Sequence, residues 1–323
     1  MIINDIYLNG ELLKFPIDSA YYEDGTALAN AITSATYGDV IKVPKGTYEV
    51  TSTINIPFGV SVVFDPYAVI KAKAPFTGDF VLKYTGGSSF SNLEVANPFG
   101  QLDNHTNIIF SGGIIDGNGI ASCFNISGFH HLTLQNMSFH NGLVFGLSIS
   151  GDHAYEAIVT NCYAKTLIEG CEGNIGFYVN KHDCHFCDCI CVDYTIGFRI
   201  IGTANKFTRC HVWGGIVGYP DSSPTLENSI NFDVQGSNNQ FVGCYADTGK
   251  IGVKCTSQNN VFIGIDWYNN YIRFGLDNVT YLLCTGGGNK FIGCTMRATA
   301  PNTIKVDSSS VAFEKIACIG FPS

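Results

Sequence analysis

Apolar and polar positions alternate along most of this chain in runs of three to five residues, each run closed by Gly, Asn or Asp. That is a strand rhythm, with side chains alternating between two faces, rather than the 3.6-residue rhythm of a helix. The runs also repeat. "NKFTRCHVW" from Asn205 returns as "NQFVGCYAD" from Asn239, "NVFIGIDWY" from Asn260 and "NKFIGCTMR" from Asn289. Aligned on the Cys or Ile, the series runs Met137, Cys162, Cys189, Cys210, Cys244, Ile265 and Cys294, with steps of 25, 27, 21, 34, 21 and 29 residues. A 21-residue unit of short strands split by Gly and Asn is too short for a βαβ module and too irregular for a leucine-rich horseshoe. It predicts one coil of a parallel β-helix, in which like residues of successive coils stack. The Phe and the Cys/Ile columns then point inward. The Asn column makes a turn, since Asn tolerates left-handed backbone and its amide can bond the next Asn along.

Upstream, "DVIKVPKGTYEV" from Asp39, "VSVVFDPYAVIKA" from Val60, "IIFSGGIIDGNG" from Ile108 and "FNISGFHHLTLQNMSF" from Phe124 continue the coils less regularly. Before them, "EDGTALANAITSA" places Leu28, Ile32 and Ala35 on one helical face, with Asp24 or Thr26 available as N-cap. This helix is expected to cover the open end of the stack, whose edge strands would otherwise be unpaired. The predicted fold is therefore all-β: a right-handed parallel β-helix with an N-terminal capping helix. It forms a single domain over 1–323, with the cap at about 1–38 and the coils at about 39–323.

Composition agrees with a β-rich chain. Of 323 residues, 46% are hydrophobic, only 14% are charged, and 36 are Gly. A net charge of −9 with no basic run argues against a nucleic-acid partner. No apolar window reaches the length of a membrane span, and the N-terminal residues lack the pattern of a secretory signal. A cytoplasmic protein is the expectation, with a phage particle as the alternative. Thirteen Cys, an odd number, cannot all pair within the chain, and most sit beside Phe at repeat positions as small apolar groups. In "CHFCDCIC", Cys187, Cys189 and Cys191 are expected on one face of a strand and Asp188 on the other; packing is the expected role, and no metal site is assigned.

With its cap helix, "DVIKVPKGTYEV", "GGIIDGNG" and the stacked coils, the chain resembles the pectate-lyase-like superfamily of right-handed parallel β-helices over nearly its whole length. That resemblance implies action on, or binding to, an oligo- or polysaccharide. The superfamily includes polysaccharide lyases, glycoside hydrolases, epimerases, inulin fructotransferase-like enzymes and phage tailspikes. The fold does not choose among them. The "NTD", "DD", "GHG" and "RIK" motifs of polygalacturonases are absent, so their catalytic residues are not carried over. Asp116, in the "DGNG" of "GGIIDGNG", is expected to shape a turn.

Inserted residues point to a site. About 6 extra residues lie between Cys162 and Cys189, about 13 between Cys210 and Cys244, and about 8 between Ile265 and Cys294. The first two insertions leave on opposite sides of the short coil carrying "CVDYT", which predicts a walled pocket. Asp193 and Tyr194 are its expected floor, with Glu169 and Glu172 from one wall and Asp221 and Glu227 from the other. Glu169, Glu172, Asp193 and Asp221 are the catalytic candidates, because glycoside hydrolysis needs two carboxyl groups. Outward positions flanking the Cys column give His211, Trp213, Tyr245, Asp247, Asp266 and Tyr268. A second outward column gives Tyr178, Arg199, Asp233 and Lys254. Tyr194, Arg199, His211, Trp213, Asp233, Tyr245, Asp247 and Tyr268 are the expected substrate-binding residues, since aromatic faces beside carboxylates suit sugar rings.

The expected function is a carbohydrate-active enzyme that cleaves or rearranges a glycosidic bond, of the hydrolase or intramolecular transferase type, without a cofactor. Two alternatives stay open: a lyase acting by β-elimination on uronates, with Ca²⁺ on the carboxylate, and a non-catalytic glycan-binding module of the tailspike type. A homotrimer is what the resemblance to tailspikes and inulin fructotransferase-like enzymes implies.

Overall fold

A computed structural model describes residues 6–8, 11–13, 24–86, 108–151, 154–167, 173–214, 228–268, 279–297, 303–308 and 313–321. Each coil lays down three short strands, and each strand pairs in parallel with its equivalents in the neighbouring coils. The first face is an 11-stranded sheet running from Val40–Val43 to Glu314–Ile316. The second face carries strands such as Tyr163–Lys165, Ile190–Val192, His211–Trp213, Tyr245–Asp247 and Asp266–Tyr268. The third carries Ile175–Val179, Ile196–Ile200, Ile230–Val234 and Ile251–Cys255. Two long strands, Gly46–Ile56 and Ala68–Thr85, run through the second and third faces together and join them at the N-terminal end.

Register alone accounts for the core. On the first face Phe186, Phe207, Phe241, Phe262 and Phe291 are in-register partners, and their rings stack with centroids 5.2, 4.8, 4.7 and 4.7 Å apart. That spacing is the strand separation itself. Phe177, Phe198 and Phe232 make a matching column on the third face. At the corner between the first and second faces, Met137, Cys162, Cys189, Cys210, Cys244, Ile265 and Cys294 are all buried. The thiols of Cys210, Cys244 and Cys294 point to the carbonyls of Phe186, Phe207 and Phe262, one coil earlier, at 3.7, 3.5 and 3.4 Å. A small side chain with a weak donor fits that corner.

The Asn ladder forms as expected. Oδ1 of Asn239, Asn260 and Asn289 accepts the backbone N–H of Asn205, Asn239 and Asn260 at 2.9, 2.8 and 2.8 Å. The left-handed backbone, however, belongs to the residue before each Asn: Ala204 (φ 60°), Asn238 (59°), Asn259 (60°) and Gly288 (70°). The ladder Asn is thus an amide clamp, and its predecessor makes the turn. A second left-handed residue precedes each member of the Cys column, among them Asn161, Asp188 and Arg209. That turn at Asp188 corrects the expectation for "CHFCDCIC". Cys184, Cys189 and Cys191 are buried, whereas Cys187 is half-exposed beside Asp188.

Helix Gly25–Thr33 begins as expected, with the Asp24 carboxylate accepting the N–H of Ala27 at 2.9 Å. It buries Leu28 and Ile32 against the strand Gly46–Ile56. Gly25 sits so close to that strand that a Cβ would fall on the Glu49 carbonyl.

Candidate functional site

Outward residues of the second face form two parallel columns. One contains Tyr163, Ile190, His211, Tyr245, Asp266 and Thr295. The other contains Asp116, His140, Lys165, Val192, Trp213, Asp247, Tyr268 and Arg297. The second column borders the corner from which the chain crosses to the third face. Long connections leave that corner after Trp213 and after Tyr268, while only Thr248, Gly249 and Lys250 follow Asp247. The coil carrying Asp247 is therefore a short coil set between two long ones, as is the coil carrying Asp193.

Around Asp247 the polar groups converge. His211 stacks on Tyr245 with centroids 4.7 Å apart, and its Nε2 lies 3.7 Å from Asp247 Oδ2. Thr248 Oγ1 donates to Asp247 Oδ1 at 2.6 Å. Thr248 is buried with φ at 47°, an outlier for a β-branched residue, and such backbone concentrates at functional sites. One coil on, Asp266 Oδ2 meets Arg297 at 2.6 Å, while its Oδ1 is buried without a hydrogen-bond partner. Burial pushes the Asp266 carboxyl above the usual range; Arg297 opposes this and the charge of Asp247 adds to it. Burial also raises the Tyr245 hydroxyl, followed by Asp247 and Asp266. Two carboxylates thus sit on adjoining strands, one column apart, in unequal environments.

The predicted residues divide into four sets. Glu169, Glu172, Asp221 and Glu227 lie outside the described residues. His211, Trp213, Tyr245, Asp247 and Tyr268 share the second face in register. Arg199 and Asp233 are on the third face, where Arg199 Nε and Gln235 Nε2 both donate to Asp233 Oδ2 at 2.9 Å and Asp233 is buried. The proposed floor is corrected. Tyr194 is a core residue, 1% exposed, whose hydroxyl accepts the Gly142 N–H at 3.0 Å. Asp193, 5% exposed, occupies a left-handed turn at φ 65°. The left-handed turn at Asp193 tips the following side chain into the core, which strict strand alternation does not anticipate.

A second cluster on the same face went unrecognised in the sequence. Asp116 Oδ1 accepts the N–H of Asn118 at 2.8 Å and Nδ2 of Asn141 at 3.0 Å, and Lys71 Nζ lies 3.7 Å from its Oδ2. In-register His140 is held neutral near pH 7, mainly by burial, with Asp116 opposing and Lys165 assisting. Its ring meets Tyr163 edge-on at 6.2 Å. The signal was present as alternate positions in "IID", "SFH" and "YAK", which the irregular upstream spacing concealed.

A family model described as rhamnogalacturonase A/epimerase, pectate lyase-like, matches residues 19–219. A search among curated proteins finds no match. Among solved structures, ORF18 of Geobacillus virus E2 aligns with TM-score 0.63 at 18% identity, covering 97% of this chain and 68% of that one. Pectate lyase Pel9A aligns with TM-score 0.53 at 16% identity, covering 88% and 73%. Tailspike protein 4 of bacteriophage CBA120, described as an enzymatically active domain, aligns with TM-score 0.59 at 14% identity, covering 92% and 42%. At these identities the likeness is one of fold.

Proposed function

Since the chain belongs to the pectate-lyase-like rhamnogalacturonase A/epimerase family, we propose that it hydrolyses a glycosidic bond in an oligo- or polysaccharide laid along the second face. The observation that carries this reading is the pair Asp247 and Asp266, two carboxyl groups on neighbouring strands with different surroundings. Asp266, raised chiefly by burial, is the acid that protonates the leaving oxygen. Asp247, oriented by the Thr248 hydroxyl and facing His211, activates water. Trp213 and Tyr268, one coil to either side of Asp247, offer apolar surface to the flanking sugars.

The test is release of reducing ends from a panel of glycans by the wild type and by Asp247→Asn and Asp266→Asn. Each substitution is expected to lower turnover about 100-fold or more on any substrate found. Wild-type turnover in both would remove the pair from the reaction and leave Glu169, Glu172 and Asp221 to be changed to amides in the same assay.

A second reading is favoured by the upstream cluster. Neutral His140 and Tyr163 beside Lys165 and Lys71 supply a base and cations for proton abstraction next to a uronate carboxylate, the step that begins β-elimination or epimerisation. The oxygens of Asp116 are already engaged by Asn118, Asn141 and Lys71, so this reading rests on protein cations rather than on Ca²⁺. Absorbance from an unsaturated uronate, lost in His140→Gln and retained in Asp266→Asn, would establish elimination over hydrolysis.

A further inference from the structure

Twelve of the cysteines fall among the described residues and all are free thiols. Those of the corner column direct S–H to carbonyl oxygens, as Cys189 does to Val159 and Cys318 to Phe291. Cys255 and Cys284 likewise direct S–H to carbonyl oxygens, of Ser257 and Gly286 at 3.6 and 3.5 Å, but differ in place and in a further partner. They end two neighbouring strands of the third face, Ile251–Cys255 and Thr280–Cys284, and are in-register partners. Their thiols interact with one another directly. Each sulfur also faces a ladder amide: Asn260 Nδ2 lies 3.6 Å from Cys255 Sγ, and Asn289 Nδ2 lies 3.5 Å from Cys284 Sγ. The column they continue is aliphatic upstream, through Val179, Ile200 and Val234. Downstream, the strand Ile304–Asp307 pairs as far as Leu283 and stops before Cys284. The pair therefore sits inside the last coils of the stack, beside its C-terminal end.

We propose that Cys255 and Cys284 are a modification site: a vicinal thiol pair that peroxide converts to a disulfide, stapling the two strands of the third face that precede Ile304–Asp307. Adjoining parallel strands are separated by about 4.8 Å, within the Cα spacing of about 4.4–6.8 Å that a disulfide spans. Cys284 is the attacking sulfur. The Cys255 thiol lowers its pKa, burial opposes this and Asn289 assists, so the thiolate is favoured at this buried sulfur. In the first step Cys284 sulfur attacks one oxygen of hydrogen peroxide; the O–O bond breaks, leaving a sulfenic acid and one water. In the second, Cys255 sulfur attacks that sulfenic sulfur; the S–S bond forms, the S–O bond breaks, and a second water departs with the Cys255 proton. Two electrons pass from the two thiols to the peroxide.

The experiment treats the native full-length protein with graded hydrogen peroxide, counts thiols after unfolding, and maps peptides without reduction. The expected result is loss of two thiols, a Cys255–Cys284 linked peptide, a higher thermal midpoint, and full reversal by dithiothreitol. Cys255→Ser, which keeps a donor beside Cys284, is expected to leave a sulfenic acid on Cys284 that dimedone traps, and Cys284→Ala to abolish thiol loss. A link mapped to Cys294–Cys318 or to the corner column, or no thiol loss below the peroxide level that unfolds the protein, overturns the proposal. The map of the wild type decides alone should either variant fail to fold.

Discussion

The balance at Asp266 makes a pH dependence that can be read in sign before it is measured. An acid must be protonated to act, so turnover is present below the Asp266 pKa and falls as pH rises through it. Burial places that limb above the ordinary carboxylate range. Because Arg297 works against burial, Arg297→Met is expected to carry the limb to still higher pH, and a pH–rate profile of the two proteins checks it. The same shift acts on stability: the folded pKa exceeds the unfolded one, so this group's contribution is present at low pH and is lost as pH rises through the folded value. Only part of this was legible in the sequence. Alternation put Asp247, Tyr268 and His211 on one outward face, whereas the placing of the insertions, with no backbone sign to check it, assigned Tyr194 to a solvent-facing floor. A left-handed residue breaks alternation, and Asp193 carries that conformation without any Gly to announce it.

Among elements, the turns hold the coils in register, and the ladder Asn is their most exacting position. Asn260 accepts the Asn239 N–H and donates to Ser257 Oγ at 3.0 Å. Asn260→Ala leaves that buried N–H without a partner, so a loss of about 1–3 kcal/mol in urea unfolding is expected, whereas exposed Gln258→Ala should stay within about 0.5 kcal/mol. Phe241, stacked between Phe207 and Phe262, should lose about 3–5 kcal/mol on truncation to Ala in the same measurement. The Phe, Cys and Asn columns were all visible as spacing, because a stack forces like residues to recur. What spacing could not assign was the backbone sign within each turn. The left-handed residue is Ala204 in one coil and Gly288 in another, and identities that vary leave no pattern to align. Upstream, uneven coil lengths hid the alignment of Asp116, His140 and Lys165, which only the strand register reveals.

For the whole molecule, the long connections and the cap follow from one constraint: a stack of parallel strands has two ends that must be covered and one corner per face where extra chain can leave. Extra chain was readable from the sequence as departures from 21 residues, and it does leave at the corner bordering Asp247. At the N-terminal end the cap depends on close approach. Helix Gly25–Thr33 lies against Gly46–Ile56 with Gly25 at the contact, where any Cβ would meet the Glu49 carbonyl, a backbone atom that cannot swing aside. Gly25→Ala must therefore lift the helix, uncover Leu28 and Ile32, and expose the first strands to other chains. A destabilisation of about 1–3 kcal/mol is expected from the overpacking, together with concentration-dependent association seen by light scattering. Asn30→Ala, on the exposed side of the same helix, removes no contact with the stack and should leave the scattering mass unchanged. If Gly25→Ala matches Asn30→Ala in both measurements, the helix does not seal the stack, and protection of the first edge must come from elsewhere in the chain.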